Sequence, residues 1–471
     1  MRSILFAVFL LFLTGCALTA GQYQQPEVDL PVAWQQGQRG GSAGSSTGGS
    51  ADGSADGSAI GGDRWWQEFA DPKLDRLMTA AMERNFDLAR AALTLRQARL
   101  RADLSAGDLW PTLSLSGGFD ASRRYGSDGG SDKSFSAKTG ISYEADLFGR
   151  LAAVRDADEW RAEATAYDLD ATRLALQATL VNQYFQLAAI RERLRLSAAS
   201  IEYAEKTLTL TRAQYAAGAA GVLEMLEAER ALANQFAGQQ SLQQNEVAAR
   251  QTLALLFGEA QDNVPLEELG DLMAALVPET APGLPAAILG RRPDLRATEA
   301  RLRASLAAAD AARLNLYPRL TLTGAFGGAS EDLSRILANP VASLGAGLIL
   351  PFVEWRQLRR NLAISETDYA LAIVTFRQNL YQALSEVNTC LSAAENLEKQ
   401  GGQIETVLNA ARRSEKLYET RYRAGAVPLQ SWLDAQERRR QAEMSLTENK
   451  LQRLINQADL AKALGGGAGG R

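Results

Sequence analysis

Histidine is absent from all 471 residues. That one absence excludes Ser-His-Asp triads, histidine zinc sites and the HExxH pattern of metalloproteases. Cysteine is nearly absent too, with only Cys16 and Cys390. The six methionines are scattered and give no soft-metal cluster. The sequence holds no GxxxxGK[ST] phosphate loop. A formal net charge of −5 offers no basic surface for nucleic acid. Long apolar runs are missing as well. The stretch from Ile4 to Leu13 is about half the ~20 residues that a spanning helix needs. A mature chain of this composition that enters a membrane must do so by strands.

What is present begins at the N-terminus. MRSILFAVFLLFLTGC carries one charge, Arg2, ahead of its short apolar run, so residues 1–15 read as a signal peptide. Leu13-Thr14-Gly15-Cys16 resembles the bacterial lipobox, in which the cysteine is acylated and becomes the first mature residue. Ala17, a non-acidic residue, is compatible there with sorting to the outer membrane. With Cys16 acylated, no internal disulfide can form. Cys390, inside the helical stretch LSEVNTCLSAAENL, then reads as a small packing residue. No cofactor is expected beyond the covalent lipid on Cys16. Gly37 to Gly62 is a Gly/Ser coil, which makes residues 16–64 an anchor with a flexible tether, or else low-complexity drift.

The chain is duplicated. Trp110-Pro111-Thr112-Leu113-Ser114-Leu115 matches Tyr317-Pro318-Arg319-Leu320-Thr321-Leu322, an offset of 318 − 111 = 207. Tyr215-Ala216-Ala217-Gly218 matches Tyr422-Arg423-Ala424-Gly425 at the same offset, and Leu226-Glu227-Ala228-Glu229 matches Leu433-Asp434-Ala435-Gln436. A period this long is not that of a solenoid. It divides the chain into a first repeat over 65–260, a connector over 261–291, a second repeat over 292–464 and a short tail over 465–471. Each repeat has one order: helix, proline break, alternating strand, polar Gly-rich loop, return strand, very long helix. The first helices are expected from Pro72 to about Gly107 and from Pro293 to Asn315. Leu180, Leu187, Leu194, Ile201, Leu208 and Tyr215 recur every seven residues, as in helices packed along a seam. A helix from Gly149 to Ala217 would reach roughly 100 Å. Gly218 and Gly425 read as C-terminal caps at hairpin turns.

The strands alternate. From Phe135 to Leu147 every second residue is apolar, small or aromatic, while Lys138, Glu144 and Asp146 fall on the other face. Ala342 to Leu350 repeats this more weakly. Both runs meet the ~9–11 residues of a membrane strand. A soluble two-faced sheet would alternate equally well, but it does not account for a lipid anchor or for sheets fused to such long helices. Four strands cannot close a barrel, and open edges in hydrocarbon cost several kcal/mol per unpaired group. Several chains must therefore share one: two would give eight strands, three twelve.

The chain resembles the outer membrane factor (TolC-like) family, within it the lipidated NodT-type efflux group. The resemblance runs from Trp65 to about Leu464. It is carried by Trp65-Trp66 with Phe69 and Asp71-Pro72-Leu74, by Asn85-Asp87-Leu88, and by Asp146-Leu147-Phe148-Gly149-Arg150. Arg291 to Arg296 with Glu299-Ala300, Arg421 to Gly425 and Leu433 to Gln436 complete it. It implies a mixed α and membrane-β fold: a homotrimer with a twelve-stranded barrel, four strands per chain, continuous with a long α-helical coiled-coil periplasmic tunnel. It implies no catalysis. The function implied is an outer-membrane exit duct for small molecules, joined to a periplasmic adaptor and an inner-membrane pump. The alternatives are an exit duct for secreted polypeptide and a structural coiled-coil lipoprotein. The hairpin tips, Tyr215, Gly218, Tyr422 and Gly425, are the expected adaptor contacts. In gated relatives an apolar ring residue often lies four before the aspartate of the Leu-Asp-Ala-Gln run. Here that position is Gln430, so the expected gate of Gln430, Asp434 and Glu227 is polar. Arg421 and Arg423 are candidates to hold Asp434. The plainer alternative pairs Asp434 with Arg438 on its own helix. The joint at Leu350-Pro351-Phe352-Val353-Glu354-Trp355 lacks the glycine of the first-half joint.

Metabolic labelling with palmitate is expected to mark the wild type and not Cys16→Ser, and the variant should be poorly processed. Equal labelling of both would show that Cys16 is not the acylated residue.

Overall fold

The computed structural model describes residues 64–123, 125, 131–259, 270–278, 290–336, 338 and 340–466, together with Tyr23 and Pro26. The signal peptide, Cys16 and the Gly/Ser stretch lie outside the described residues. Each half begins with helix and ends with a helical hairpin. In the first half these are α1 (Pro72–Arg84), α2 (Phe86–Gly107), β1 (Thr112–Arg123), β2 (Ser131–Ala145), α3 (Arg150–Ala216) and α4 (Val222–Leu256). In the second they are α5 (Pro293–Leu314), β3 (Arg319–Ser330), β4 (Val341–Ile349), α6 (Trp355–Arg423) and α7 (Leu429–Ala463). The chain forms two compact units that do not follow the halves. Of the described residues, one takes Tyr23 and Pro26 with those of Leu93–Tyr167 and Leu295–Asn379; the other takes those of Asp29–Ala92, Asp168–Asp294 and Leu380–Arg471. No described helix is long and apolar enough to cross a membrane.

The first unit holds one antiparallel sheet in the order β1-β2-β3-β4. Its register sorts the side chains. Leu113 pairs with Ile141, Ile141 with Gly324 and Gly324 with Leu344. Neighbouring rows on that face join Tyr143, Leu322 and Ala346, and Leu115, Thr139, Phe326 and Ala342. Opposed residues share a face, so one side of the sheet is apolar across all four strands. The other side carries Ser114, Gly140, Ala325 and Ser343 in one row and Thr112, Ser142, Thr323 and Gly345 in another. The apolar face is uncovered in the single chain: Leu115 is 82% exposed and Leu344 94%. Such a face, with two open edges at β1 and β4, suits lipid outside and neighbouring strands at both sides.

The strands run further into the loops than the alternation indicates. Arg123 pairs with Ser131 and Phe135 with Ser330, so polar residues expected in loops complete the ladders. Strand β2 ends two residues before Leu147, because Asp146 turns to cap α3. Its carboxylate accepts from the amides of Leu151 (3.1 Å) and Ala152 (2.9 Å). Gly149 takes φ +79°, and Arg150 folds back so that Nε and Nη2 donate to Glu144 Oε1 at 3.1 and 2.8 Å. Phe148 stacks on Tyr317 at 5.0 Å. The Asp-Leu-Phe-Gly-Arg run is therefore a strand-to-helix corner in which each polar residue has a task. The second half turns without glycine, through a 3₁₀ turn over Pro351–Glu354 that feeds directly into α6.

The second unit holds a large buried cluster. Trp65, Trp66 and Phe69 sit in a 3₁₀ turn and pack with Leu74, Met78, Leu180, Tyr184, Phe185, Leu253 and Leu454. Trp65 Nε1 donates to Gln177 Oε1 at 2.9 Å. Asp71 caps α1 by accepting from Lys73 N (2.9 Å), and it also accepts from the Tyr184 hydroxyl at 2.5 Å. That hydroxyl accepts in turn from the amide of Gly270. Burial, and then Asp71, push the Tyr184 phenol well above its ordinary pKa. The single first helix expected from Pro72 to Gly107 is in fact two. Asn85 leaves the helical region with ψ 127°, donates to Leu256 O at 3.0 Å and caps α2 by accepting from Asp87 N and Leu88 N. Cys390 is a free, half-buried thiol, pushed up to about 11 by burial and the nearby Asp459 and Glu386 carboxylates.

Ile141→Lys places a charge on the apolar face and should cost about 2–4 kcal/mol near a bilayer midplane. Ser142→Lys falls on the other face and should be tolerated. Native gels after detergent extraction score assembly; identical behaviour of the two variants would mean that the faces are misassigned.

Candidate functional site

Both hairpin tips are built alike. At the first, Gly218 has φ +73°, its amide donates to Tyr215 O at 3.0 Å and the next amide, Ala219, donates to Gln214 O at 2.8 Å. At the second, Gly425 has φ +69°, with Gly425 N to Tyr422 O at 2.9 Å and Ala426 N to Arg421 O at 2.9 Å. This pair of bonds is the Schellman closure, which satisfies the last carbonyls of α3 and α6. The return helices start differently. Glu224 reaches back to the amide of Gly221 before α4, and Pro428 precedes α7.

The two tip tyrosines do not share a role. Tyr215 is 42% exposed, while Tyr422 is 8% exposed and packs with Leu208, Leu429 and Trp432. The Tyr422 ring lies 5.2 Å from that of Trp432, and its hydroxyl donates to Gln214 Oε1 at 2.6 Å. Tyr422 thus fastens α6 to α3 within one chain and is not a free contact for an adaptor. The seven-residue spacing placed Tyr215 on a seam and the 207-residue offset made Tyr422 its counterpart, but the aromatic partner that buries only Tyr422, Trp432, has no counterpart at 432 − 207 = 225, which is Met225.

A groove of about 530 Å³ lies beside the hairpins, between α3, α4 and α7. Glu227 and Asp434, which correspond in the two halves, both line it, and Gln430 joins them. Gln430 Nε2 donates to Asp434 Oδ1 at 2.7 Å, while Gln430 Oε1 is buried and has no hydrogen-bond partner among the described residues. Asp434 itself is exposed. It forms no ion pair with Arg438, and Arg423 is engaged elsewhere, with Glu419 at 2.7 Å. Within the single chain none of the three candidates, Arg421, Arg423 and Arg438, forms an ion pair with Asp434 among the described residues. The aspartate is held by an amide, and its charge is left uncompensated among the described residues.

At the groove wall, sequence reasoning missed a charge cluster centred on Arg439. Arg439 bridges Glu415 (2.5 Å) and Glu443 (2.7 Å), and Glu443 also accepts from Arg412 at 3.1 Å. Burial pushes the Glu415 carboxyl up, against the opposing pull of Arg439. Burial alone would lower the Arg439 guanidinium, and its two carboxylates more than offset that. Tyr203 is pushed up to about 12 by burial and by Glu415 and Glu419. The cluster joins α6 to α7, and its signal was present only as charges spread over two helices. No group of acidic or cysteine side chains among the described residues is arranged to hold a metal.

A sheet with one lipid-suited face and two unpaired edges, joined to long capped hairpins, defines a channel-forming outer-membrane protein. Residues 77–259 and 284–466 each match the family model described as outer membrane efflux protein, and the matches are displaced by 284 − 77 = 207, the internal offset. The chain belongs to that family. It is similar to the pyoverdine export outer membrane protein OpmQ of Pseudomonas putida, 32% identical over 86% of this chain and 88% of the relative. It is also similar to the toluene efflux pump outer membrane protein TtgC of Pseudomonas putida, 28% identical over 98% and 94% of the two chains. Among solved structures, the open state of the Neisseria gonorrhoeae MtrE outer membrane channel superposes with a TM-score of 0.81 at 27% identity, covering 95% of this chain and 98% of that one. The protein is an outer-membrane efflux duct and not an enzyme. Each chain gives four strands to a twelve-stranded barrel shared by three chains, and its long helices to the α-helical periplasmic tunnel. Channels of this class are homotrimers that work with adaptor proteins and inner-membrane pumps.

Arg439→Ala leaves Glu415 buried without its cation and should destabilise the second hairpin by about 3–5 kcal/mol. Arg423→Ala, at a 63% exposed side chain, should cost less than about 1 kcal/mol. The Arg439→Ala loss should be larger at pH 8 than at pH 5, because Glu415 takes up a proton at the lower pH and its buried charge disappears. Hydrogen exchange of the α7 amides reads both effects.

Proposed function

We propose that this chain is the exit duct of a tripartite system that expels small molecules. A lipid on Cys16 anchors it in addition to its barrel, and Gln430, Asp434 and Glu227 narrow the tunnel at the hairpin end. The observation that carries the gate is the meeting of Glu227 and Asp434 in one groove beside Gln430. Two carboxylates per chain become six around a threefold axis. Such a ring attracts cations and repels anions, and with no ion pair on Asp434 its charge stays available to a partner from outside the chain. An adaptor is expected to meet the tips through Tyr215 and the backbone around Gly218 and Gly425, with Tyr422 reserved for packing. The relatives are named for pyoverdine export and toluene efflux, which supports small molecules as the cargo here. The energy is expected to come from an inner-membrane pump of the kind that channels of this class work with.

Asp434→Ala is expected to raise single-channel current in planar bilayers and to sensitise cells lacking the pump to bulky antibiotics. Glu227→Ala should act in the same direction, and Arg438→Ala should change neither. If Asp434→Ala and Arg438→Ala behave alike, the gate lies elsewhere. Loss of the gene should sensitise cells to amphiphilic small molecules; a defect confined to a secreted polypeptide would move the reading to polypeptide export.

A further inference from the structure

One residue of the N-terminal segment is seated on the first unit. Tyr23 donates its hydroxyl to Glu299 Oε1 at 3.1 Å. The same oxygen accepts from Arg303 Nη2 at 2.7 Å. The Arg303 guanidinium lies over the Tyr23 ring at 4.5 Å and over the Trp160 ring at 4.8 Å. Tyr23, Arg303, Glu299 and Trp160 thus form one interlocked set, drawn from α3, α5 and a segment 276 residues away in sequence. Burial, and then Glu299, push the Tyr23 phenol up to about 12, as expected of a phenol donating to a carboxylate. The adjoining cavity, of about 370 Å³, is also lined by Phe148, Gly149 and Leu306.

We propose that this Tyr23 clamp is the docking site that fixes the acylated N-terminus at the strand-to-helix joint. The proposal rests on the reading of Cys16 as the lipid attachment residue. The joint at Phe148-Gly149 directly follows Tyr143 and Ala145, the last β2 residues on the apolar face, so it marks the periplasmic edge of the hydrocarbon. Cys16 precedes Tyr23 by 23 − 16 = 7 residues, which reach about 25 Å at most when fully extended. Acyl chains on Cys16 must enter the inner leaflet of the outer membrane, and a chain pinned at the joint delivers them there directly. A free coil from Cys16 to Trp65 would instead wander over roughly 40 Å. The clamp also gives the Gly/Ser stretch another position in the chain. It connects the docked Tyr23 with the turn at Trp65, and it does not lie between the lipid and the first docked residue.

The test inserts a site for a sequence-specific protease between Gly48 and Gly49 of the full-length chain, with an affinity tag after Arg471. After cleavage in detergent, the tagged trimer is isolated and the fragment starting at Cys16 is measured. The fragment should co-purify with the wild type. In Tyr23→Ala it should fall about tenfold, as loss of a cation–π contact and a hydrogen bond predicts. Tyr23→Phe keeps the ring, drops the hydroxyl and should fall between the two. Native gels score the trimer in parallel, so release from an intact trimer is separated from misfolding. Release of the fragment from the wild type, or equal retention by Tyr23→Ala, would overturn the clamp. Palmitate labelling of the fragment reads the lipid independently. A retained but unlabelled fragment would sink the lipid reading and keep the clamp, and a labelled but released one would do the reverse.

Discussion

Backbone amides and carbonyls cannot remain unpaired in hydrocarbon, and this constraint governs the molecule. Four strands satisfy one another through three ladders and leave the outer edges of β1 and β4 open. Only copies of the same sheet, set side by side, remove those edges. Folding of the barrel and association of the chains are for that reason expected to be one process. The chain does not cover the apolar face itself: Leu115 and Leu344 stand exposed on it, while large buried side chains such as Tyr184, Phe185, Leu74 and Phe376 lie on helices. Lipid is the solvent for the sheet, and the packed helices form ordinary water-excluding cores, around Leu302 and Phe376 in one unit and around Tyr184 and Phe185 in the other.

The corners carry the change from strand to helix. A strand leaving the membrane must hand its direction to a helix without exposing the first helical amides. The first half does this with Asp146 as cap, Gly149 in the left-handed region and Arg150 tied to Glu144. The second half replaces the device with Pro351 and a tight turn. Duplication supplied two corners, and each found its own solution to one geometric demand.

Much of this was legible in the sequence because it depends on local chemistry. The glycines at 149, 218 and 425 are read from neighbours within a few residues, and each has positive φ. The alternation around Ile141 assigns the faces that the register displays. Long-range pairing was not legible. Asn85 breaks a helix because its amide reaches Leu256, 171 residues away. Tyr422 is buried because Trp432 is present, whereas Tyr215 has no such partner. Arg439 holds Glu415 across two helices, a choice that periodicity cannot make among so many charges. The Gln430–Asp434 contact was half legible. Spacing put the two on one face, but only the structure shows that an amide, and not Arg438, meets the carboxylate.

The two tips have a consequence for how such a duct can change over time. Each glycine sits in open space: apart from the glycine and its chain neighbours, no described atom lies within 4 Å of where a β-carbon would stand. The Schellman closure asks only for the left-handed backbone and two amide bonds, and it asks nothing of the side chains around it. Hairpin length and tip chemistry are therefore separable traits. A lineage can rewrite the exposed residues at the turn one at a time, while the height of the tunnel and the packing beneath it stay as they were.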